Sequence, residues 1–302
     1  MTTVQKSLTC FAAIAVSGVL TALAGAQQSV ERLSVPFSDP SRPGTLNVGV
    51  LAGGIIIRGS DRKDVSIEAR GRSDGGSRDV RIRIDGRGRG DGRGRGNGRG
   101  AGGPEPSTAG LRRLTQQPSF SVEEQNNRME IGSHDMNRAF DFEIQVPTRT
   151  NLHLSTVNSG DILVENVEGE LEVGNVNGAI TLNGVGGSVV AHTVNGGVKV
   201  TLARVTAQKP MAFTSLNGPV DVTLPSSTKA NLRLRSDQGD VFTDFDIQMM
   251  TQTASSKVED RRRDGGTYRI EVNKAIYGSI NGGGPDFEMR TFNGSVYVRK
   301  GN

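Results

Sequence analysis

Short runs of alternating apolar and polar residues fill the middle of the chain, and a glycine recurs between them every nine residues. Ile162 and Val164 belong to one run, and Leu171 and Val173 to the next. Alternation over a few residues is typical of half-buried strands, and Gly, Asn and Asp between strands are typical of tight turns. The pattern therefore predicts short strands joined by tight turns. The recurring glycines are Gly160, Gly169, Gly178, Gly187 and Gly196.

A stronger signature marks every second turn, where an apolar residue precedes Asn and Gly. From Gly160 to Gly239 the glycines of these turns are separated by 18, 18, 22 and 21 residues. Two strands and two turns therefore form one coil, and Asn281-Gly282 is a further candidate for the series. The predicted structural turn residues are Asn158, Gly160, Asn177, Gly178, Asn195, Gly196, Asn217, Gly218, Gly239, Asn293 and Gly294.

An Asn-Gly turn often joins two antiparallel strands, so a meander of hairpins is the alternative fold. A meander does not require the same triplet at the same place in each unit, whereas a solenoid does. In a solenoid the turns stack about 4.8 Å apart, and a column of Asn side chains can form a ladder of amide hydrogen bonds. The repeats therefore predict an all-β fold, a single-stranded β-solenoid with a core of stacked Val, Ile and Leu.

The remainder of the chain follows the same pattern less regularly. Strands are expected near 46–50, 54–58, 65–69 and 79–84, with another at roughly 120–131 and no helical period after the first 26 residues. The interpretation is a single β-solenoid domain over residues 27–302. A disordered Arg/Gly loop at 85–118 and a polar loop at 248–266 interrupt it.

The first 26 residues read as a secretory signal peptide. Lys6 precedes an apolar run from Leu8 to about Leu23, and Ala24-Gly25-Ala26 follows as a small-residue cleavage site. A membrane anchor is the alternative, but the run is shorter than the ~20 residues that span a bilayer. Cleavage would remove the only cysteine, Cys10, and would leave a secreted or periplasmic envelope protein without thiols or a transmembrane helix.

The positive net charge of +4 comes from one segment. Arginine alternates with glycine between residues 85 and 100, and no aromatic residue occurs between Phe37 and Phe120 to stack on nucleic-acid bases. We interpret the segment as a solvated loop, with contact to a polysaccharide or other anionic envelope polymer as the alternative and no specific nucleic acid as partner. The arginines that would make such a contact are Arg87, Arg89, Arg93, Arg95 and Arg99.

No catalytic, cofactor-binding or metal-binding residue is predicted. A calcium ladder needs oxygen ligands at every turn, but only scattered carboxylates such as Asp161 and Asp240 follow the repeat glycines, so one isolated Ca²⁺ is the most this column could hold. Clustered glutamates and three histidines lack a recognisable catalytic arrangement. A non-catalytic structural or adhesin-like protein is therefore expected, with an envelope stress or signalling module and a carbohydrate-active β-helix enzyme as alternatives. The glutamates are Glu165, Glu168, Glu170 and Glu172.

Three stretches resemble the bacterial putative-adhesin family, also called the toast-rack domain of unknown function. They are Val35–Arg70, the repeated series "TVNSGDI", "NVNGAI", "TVNGGV" and "SLNGPV", and the closing glycine-rich segment Ile280–Lys300. The resemblance covers most of the chain after the predicted signal peptide. It implies an exported, β-solenoid-like envelope protein without a defined catalytic site. The Arg/Gly segment departs from the family pattern.

Overall fold

The structure, a computed structural model, describes residues 30–72, 120–133, 139–158, 160–206, 208–250, 257–260, 268–271 and 275–301 of the 302-residue chain. Every regular element in these ranges is a β-strand. Twenty strands form one continuous sheet, and two form a small separate sheet. The predicted all-β solenoid is therefore confirmed.

Most strands are short, as the spacing of the turns predicts, but one strand of 16 residues runs through the corner at Gly187. In chain order they are β1 Val30–Pro36, β2 Gly44–Ala52, β3 Ile55–Ser60, β4 Asp64–Arg72, β5 Phe120–Gln125, β6 Arg128–Ser133, β7 Ala139–Pro147, β8 Thr150–Asn158, β9 Ile162–Glu165, β10 Glu168–Asn177, β11 Ile180–Asn195, β12 Val198–Val205, β13 Met211–Asn217, β14 Val220–Pro225, β15 Ala230–Ser236, β16 Val241–Thr243, β17 Gln248–Met249, β18 Lys257–Asp260, β19 Tyr268–Glu271, β20 Ile276–Ile280, β21 Asp286–Asn293 and β22 Val296–Gly301.

The large sheet winds into two faces. The first face contains, in spatial order, β5, β6, β2, β8, β10, the second half of β11, β13, β21, β15, β20 and β17. The second face contains β1, β4, β7, β3, β9, the first half of β11, β12, β14, β22 and β16. The chain alternates between the faces, so one strand from each face and the two turns form a coil.

Equivalent residues of successive coils lie directly beside one another. Ile180 pairs with Ile162 on one side and with Val198 on the other, and all three are buried. Alternate residues of each strand point into the space between the faces. In β8, Leu152 and Leu154 are therefore buried, and His153 between them is exposed. The inward side chains of both faces form one continuous core along the solenoid.

The coils do not stack in chain order. The coil of β21 and β22, at the end of the sequence, lies between the coil of β13 and β14 and the coil of β15 and β16. Similarly, β2 and β3 lie between the coil of β6 and β7 and the coil of β8 and β9. The last coil of the sequence is therefore an interior layer of the solenoid.

Both ends of the solenoid change from parallel to antiparallel pairing. At the N-terminal end β1 pairs with β4, β4 with β7 and β5 with β6, all antiparallel. At the C-terminal end β20 pairs antiparallel with both β15 and β17. Such end strands act as caps, since they cover the last coil and leave short edges.

Two details of the predicted layout are wrong. The single strand expected at 120–131 is a hairpin, because Asn126 and Asn127 adopt positive φ angles of 55° and 66°. Consecutive positive φ values make the two-residue turn that fits the twist of an antiparallel pair, and Asn tolerates them well.

The polar segment 248–266, expected to be a loop, contains strand residues. β17 at its start extends the first face against β20, and β18 pairs antiparallel with β19 in the small sheet. Backbone pairing therefore organises polar residues that carry no strong alternation. The predicted strand at 79–84, the Arg/Gly segment 85–118 and residues 1–26 lie outside the described residues.

Candidate binding surface on the first face

The Asn-Gly turns stack in a column along one corner of the solenoid, and their asparagines form a ladder. Each side-chain amide donates to the side-chain oxygen of the asparagine in the neighbouring coil. The donor–acceptor distances are 3.2 Å from Asn177 to Asn158, 2.7 Å from Asn195 to Asn177, 2.8 Å from Asn217 to Asn195 and 2.7 Å from Asn293 to Asn217. The last step joins residues 76 apart in sequence, because the coil order brings them together.

Close approach of backbones explains the glycines of this column. A Cβ atom built on Gly196 would lie 2.2 Å from the carbonyl oxygen of Gly178, and one on Gly178 would lie 2.1 Å from that of Gly160. Gly218, Gly294 and Gly239 meet the neighbouring carbonyl in the same way. The alternate glycines occupy the opposite corner, where Gly187 faces the carbonyl of Gly169. The nine-residue period therefore reflects two corners per coil.

A second, buried column of polar side chains supports the same turns, and sequence reasoning missed it. The residue two positions before each ladder asparagine points inward and donates to a carbonyl oxygen of the adjacent turn, as Thr193 does to Gly178 at 2.9 Å. The signal is present in the sequence, because each turn reads as a polar residue, an apolar residue and Asn. The column consists of Thr156, Asn175, Thr193, Ser215 and Thr291, and Ser236 continues it in the coil beyond.

Between these two polar columns lies a row of apolar side chains that points to solvent, the apolar ridge. At strand spacing, its six residues extend over roughly 24 Å. Five of them are 36–47% exposed, and Val176 is half-buried. The ridge consists of Leu51, Val157, Val176, Val194, Leu216 and Phe292, which are adjacent in the register of β2, β8, β10, β11, β13 and β21.

A groove of about 850 Å³ runs beside the N-terminal half of the ridge. Small residues form its floor, and the ring of His192 closes it by lying over Gly174, where a Cβ atom would be 2.8 Å from the imidazole. The far wall is polar and includes His153, whose Nδ1 lies 3.0 Å from Glu172 Oε2. The floor consists of Gly132, Gly49, Ser155 and Gly174, and the polar wall of Glu130, Asn47, His153 and Glu172.

The uncharged strip is the part of the first face formed by the ridge, the ladder asparagines and the column Gly49, Ser155, Gly174, His192 and Thr214. From Gly49 to Thr214 none of its residues is Lys, Arg, Asp or Glu. The column beyond Thr214 continues with Arg290, which marks the charged end of the strip.

The outer side of the second face carries ion pairs toward both ends of the solenoid. Arg58 lies between Glu143 and Glu165, and its Nε donates to Glu165 Oε2 at 3.0 Å. The hydrogen bond to Glu165 is the main reason why the pKa of Arg58 is raised. Arg299 pairs with Asp221 at 2.8 Å, which likewise raises the arginine pKa.

Some residues singled out in the sequence lie outside the ladder and the uncharged strip. Asn281 and Gly282 form the turn between β20 and β21 and stand outside the ladder, since the Asn281 amide donates to the carbonyl oxygens of Ser226 and Thr228. The side chain of Asp161 accepts a hydrogen bond from the backbone of Ala179. The arginines at 87, 89, 93, 95 and 99 lie outside the described residues.

Within the described ranges, no three His, Cys, Asp or Glu side chains come together as a metal site requires. That part of the chain also contains no helix with the length and hydrophobicity of a membrane span.

Comparison with known proteins supports the resemblance noted in the repeats. Residues 143–275 match the family described as Toastrack DUF4097, which confirms it for that segment. No curated protein matches the chain.

Two solved structures are similar over most of their length. A "putative cell adhesion protein" from Clostridium sporogenes is 12% identical with a TM-score of 0.46, and covers 90% of this chain and 100% of its own. A "putative adhesin" from Bacteroides fragilis is 10% identical with a TM-score of 0.28, and covers 91% of this chain and 98% of its own.

Proposed function

We propose that this protein is an exported, non-catalytic, adhesin-like component of the cell envelope that binds through the uncharged strip of its first face. The observation that carries the proposal is the apolar ridge, which places an aliphatic or aromatic side chain on the outer side of six adjacent strands, exposed on five of them and half-buried at Val176. Isolated exposed apolar residues are ordinary, but a contiguous row bordered by polar columns is typical of an interaction surface.

A surface that repeats a similar contact on successive coils is suited to adhesion. Each coil offers the same small contact, and several contacts that act together give an avidity that none has alone. The predicted signal peptide supports export, and the Toastrack match supports an envelope role without a catalytic site because the family resemblance implies both.

The test is a binding assay with the exported chain, immobilised at several densities and probed with a glycan array and with envelope fragments. We expect binding that rises steeply with density and persists at high salt, since the strip is uncharged. Intact-mass analysis of the same preparation should show a chain that begins at Gln27. Absence of binding at every density would refute the adhesin proposal, and retention of residues 1–26 would refute export by cleavage.

The arginines of the Arg/Gly segment support a separate proposal, because the strip itself offers no positive charge to an anionic polymer. Deletion of residues 86–103 removes Arg87, Arg89, Arg93, Arg95 and Arg99 together with one acid, Asp91. Binding to a polyanion at low salt should weaken, and the difference should shrink as salt shortens the Debye length from about 10 Å to about 3 Å. Unchanged polyanion binding at low salt would show that these arginines make no such contact.

The groove favours one second candidate, a carbohydrate-active enzyme, because Glu123, Glu130 and Glu172 all line it. Sugar cleavage needs paired carboxylates, of which one is shielded from water as general acid. Glu172 has a 62% exposed side chain and pairs with His153, which fits a solvated wall better than a general acid. Hydrolysis of array glycans by the wild type that Glu172→Gln and Glu130→Gln abolish would favour the enzyme over the adhesin.

A further inference from the structure

The uncharged strip is self-complementary in shape, because it contains both a ridge and a groove. The apolar ridge projects from the first face, and the groove with its floor of Gly49, Ser155 and Gly174 runs parallel to it, two residues away along each strand. A straight ridge with strand spacing matches the direction and the spacing of this groove. A second copy of this chain has such a ridge at the same spacing.

The charges of the two faces favour the same partner. Burial of an unpaired charge costs several kcal/mol, so apolar association avoids charged surfaces. From Gly49 to Thr214 the columns of the strip contain no lysine, arginine or carboxylate, and the carboxylates of Glu130 and Glu172 belong to the polar wall at the edge of the groove. An anionic polymer would find no lysine or arginine there, whereas a second strip presents apolar, amide and hydroxyl groups and the imidazole of His192.

We infer that two copies of the chain associate through their uncharged strips, related by a two-fold axis parallel to the solenoid axis. This inference rests on the proposed function and names its partner, a second copy of the same chain. The two-fold axis places the ridge of each copy over the groove of the other at the same coil level. The alternative axis, perpendicular to the solenoid, would oppose ridge to ridge and leave both grooves empty.

The two ends of the strip fit this arrangement. At the N-terminal end Leu51 faces the partner's Gly49, where the groove is open. At the C-terminal end the groove column is filled by Arg290, and Phe292 would lie against the partner's Arg290. A guanidinium over an aromatic ring is a favourable contact, so the exposed Phe292 and Arg290 match each other.

Sedimentation equilibrium of the full chain tests the association, with two substitutions in the same strand. Val194→Arg places a charge in the middle of the ridge, and Thr181→Arg places it on the outer side of the second face, from a residue of similar size. We expect the wild type and Thr181→Arg to form dimers with similar dissociation constants. Val194→Arg should weaken the dimer about tenfold or more, equivalent to at least about 1.4 kcal/mol. A monomeric wild type, or equal weakening by both substitutions, would overturn the inference.

Cysteine crosslinking tests the symmetry. In a Cys10→Ser background, which has no other thiol, Leu51→Cys and Phe292→Cys are treated separately with a short bismaleimide. The parallel axis brings each position close to its own copy, so each variant should crosslink alone. Crosslinking only in a mixture of the two variants would show the ridge-to-ridge dimer and overturn the proposed axis.

Envelope binding by the same preparations separates this inference from the proposed function. A monomeric wild type that still binds envelope fragments would overturn self-association and leave the adhesin proposal standing. A dimer that depends on Val194 but binds no envelope material or glycan would support self-association and refute adhesion to other molecules.

Discussion

The two faces of the solenoid share one core and differ on their outer sides. Both bury alternate aliphatic residues at the same spacing, and Leu182 and Leu154 on opposite faces belong to the same cluster. Outside, the first face carries long columns of apolar and amide side chains beside a polar wall that includes His153 and Glu172, whereas Arg58 and Arg299 anchor ion pairs on the second face. The core and the turns therefore determine the fold, while the outer columns are free to differ and so can carry function.

The largest expected effect on stability comes from a substitution in the stacked turns, which both faces share. Gly196→Val places a Cβ atom against the Gly178 carbonyl at a φ of 155°, so the backbone must shift. We expect a loss of roughly 2–3 kcal/mol in the free energy of unfolding, measured by urea denaturation. Gly132→Val is the control, because a Cβ atom at that position would have no other atom within 4 Å. Equal stability of the two variants would argue against a tight turn at Gly196.

The next effect probes the buried polar column of the first face. Thr193→Val keeps the shape but removes the hydroxyl that donates to the Gly178 carbonyl at 2.9 Å. A buried acceptor left without its donor costs about 2 kcal/mol. Thr201→Val, a half-buried position on the outer side of the second face, should change stability by less than about 0.5 kcal/mol. Similar losses from both substitutions would mean that the hydroxyl contributes little to the turn.

A smaller effect is expected from the ladder. Asn195→Ala removes one amide that donates to Asn177 and accepts from Asn217, at the exposed edge of the turn. Water can replace part of these bonds, so the expected loss is about 1 kcal/mol. Thermal unfolding should show a lower melting temperature than the wild type. An unchanged melting temperature would show that the ladder is a consequence of stacking and not a source of stability.

The smallest effect is expected from an ion pair on the second face, and it depends on pH. On β4, hydrogen bonds from Arg70 and then Arg32 lower the pKa of Glu68 from its ordinary value of 4.5. Its contribution is therefore present above the unfolded-state pKa and is lost as pH falls through the lowered folded-state pKa. Glu68→Gln should cost less than about 1 kcal/mol at pH 7, and the difference from wild type should vanish in acid. A difference that stays constant from pH 7 to pH 3 would contradict this assignment.

Much of the fold could be predicted from the sequence because turn chemistry is local. Each coil has an Asn-Gly turn like Asn195-Gly196, which a few neighbouring residues specify. The coil length and the column of turns therefore follow from the spacing of these turns in the sequence. The buried column could also have been found, since Thr193 and Ser215 occupy the same place in their repeats. What could not be found locally was the order of the coils.

The stacking order of the coils could not be predicted, because parallel pairing between strands that are distant in sequence produces no recognisable pattern within a short segment. Nothing in the residues around Asn293 shows that its turn lies between the turn at Asn217 and the turn at Gly239. The groove depends on this register as well, because His153 and Glu172 meet only when β8 and β10 are aligned. The hairpin at Asn126 and Asn127 was missed for another reason, since Asn-Asn without Gly is a weaker turn signal than Asn-Gly.

The proposed adhesive contact lies on the first face and not on the second. Leu216→Arg and Leu163→Arg introduce the same charge in place of the same residue on the outer sides of the first and second face. Binding of the two immobilised variants to envelope fragments, compared with wild type at equal density, tests it most directly. We expect Leu216→Arg to lose most of the binding and Leu163→Arg to retain it. Full binding by Leu216→Arg, or loss only with Leu163→Arg, would contradict it.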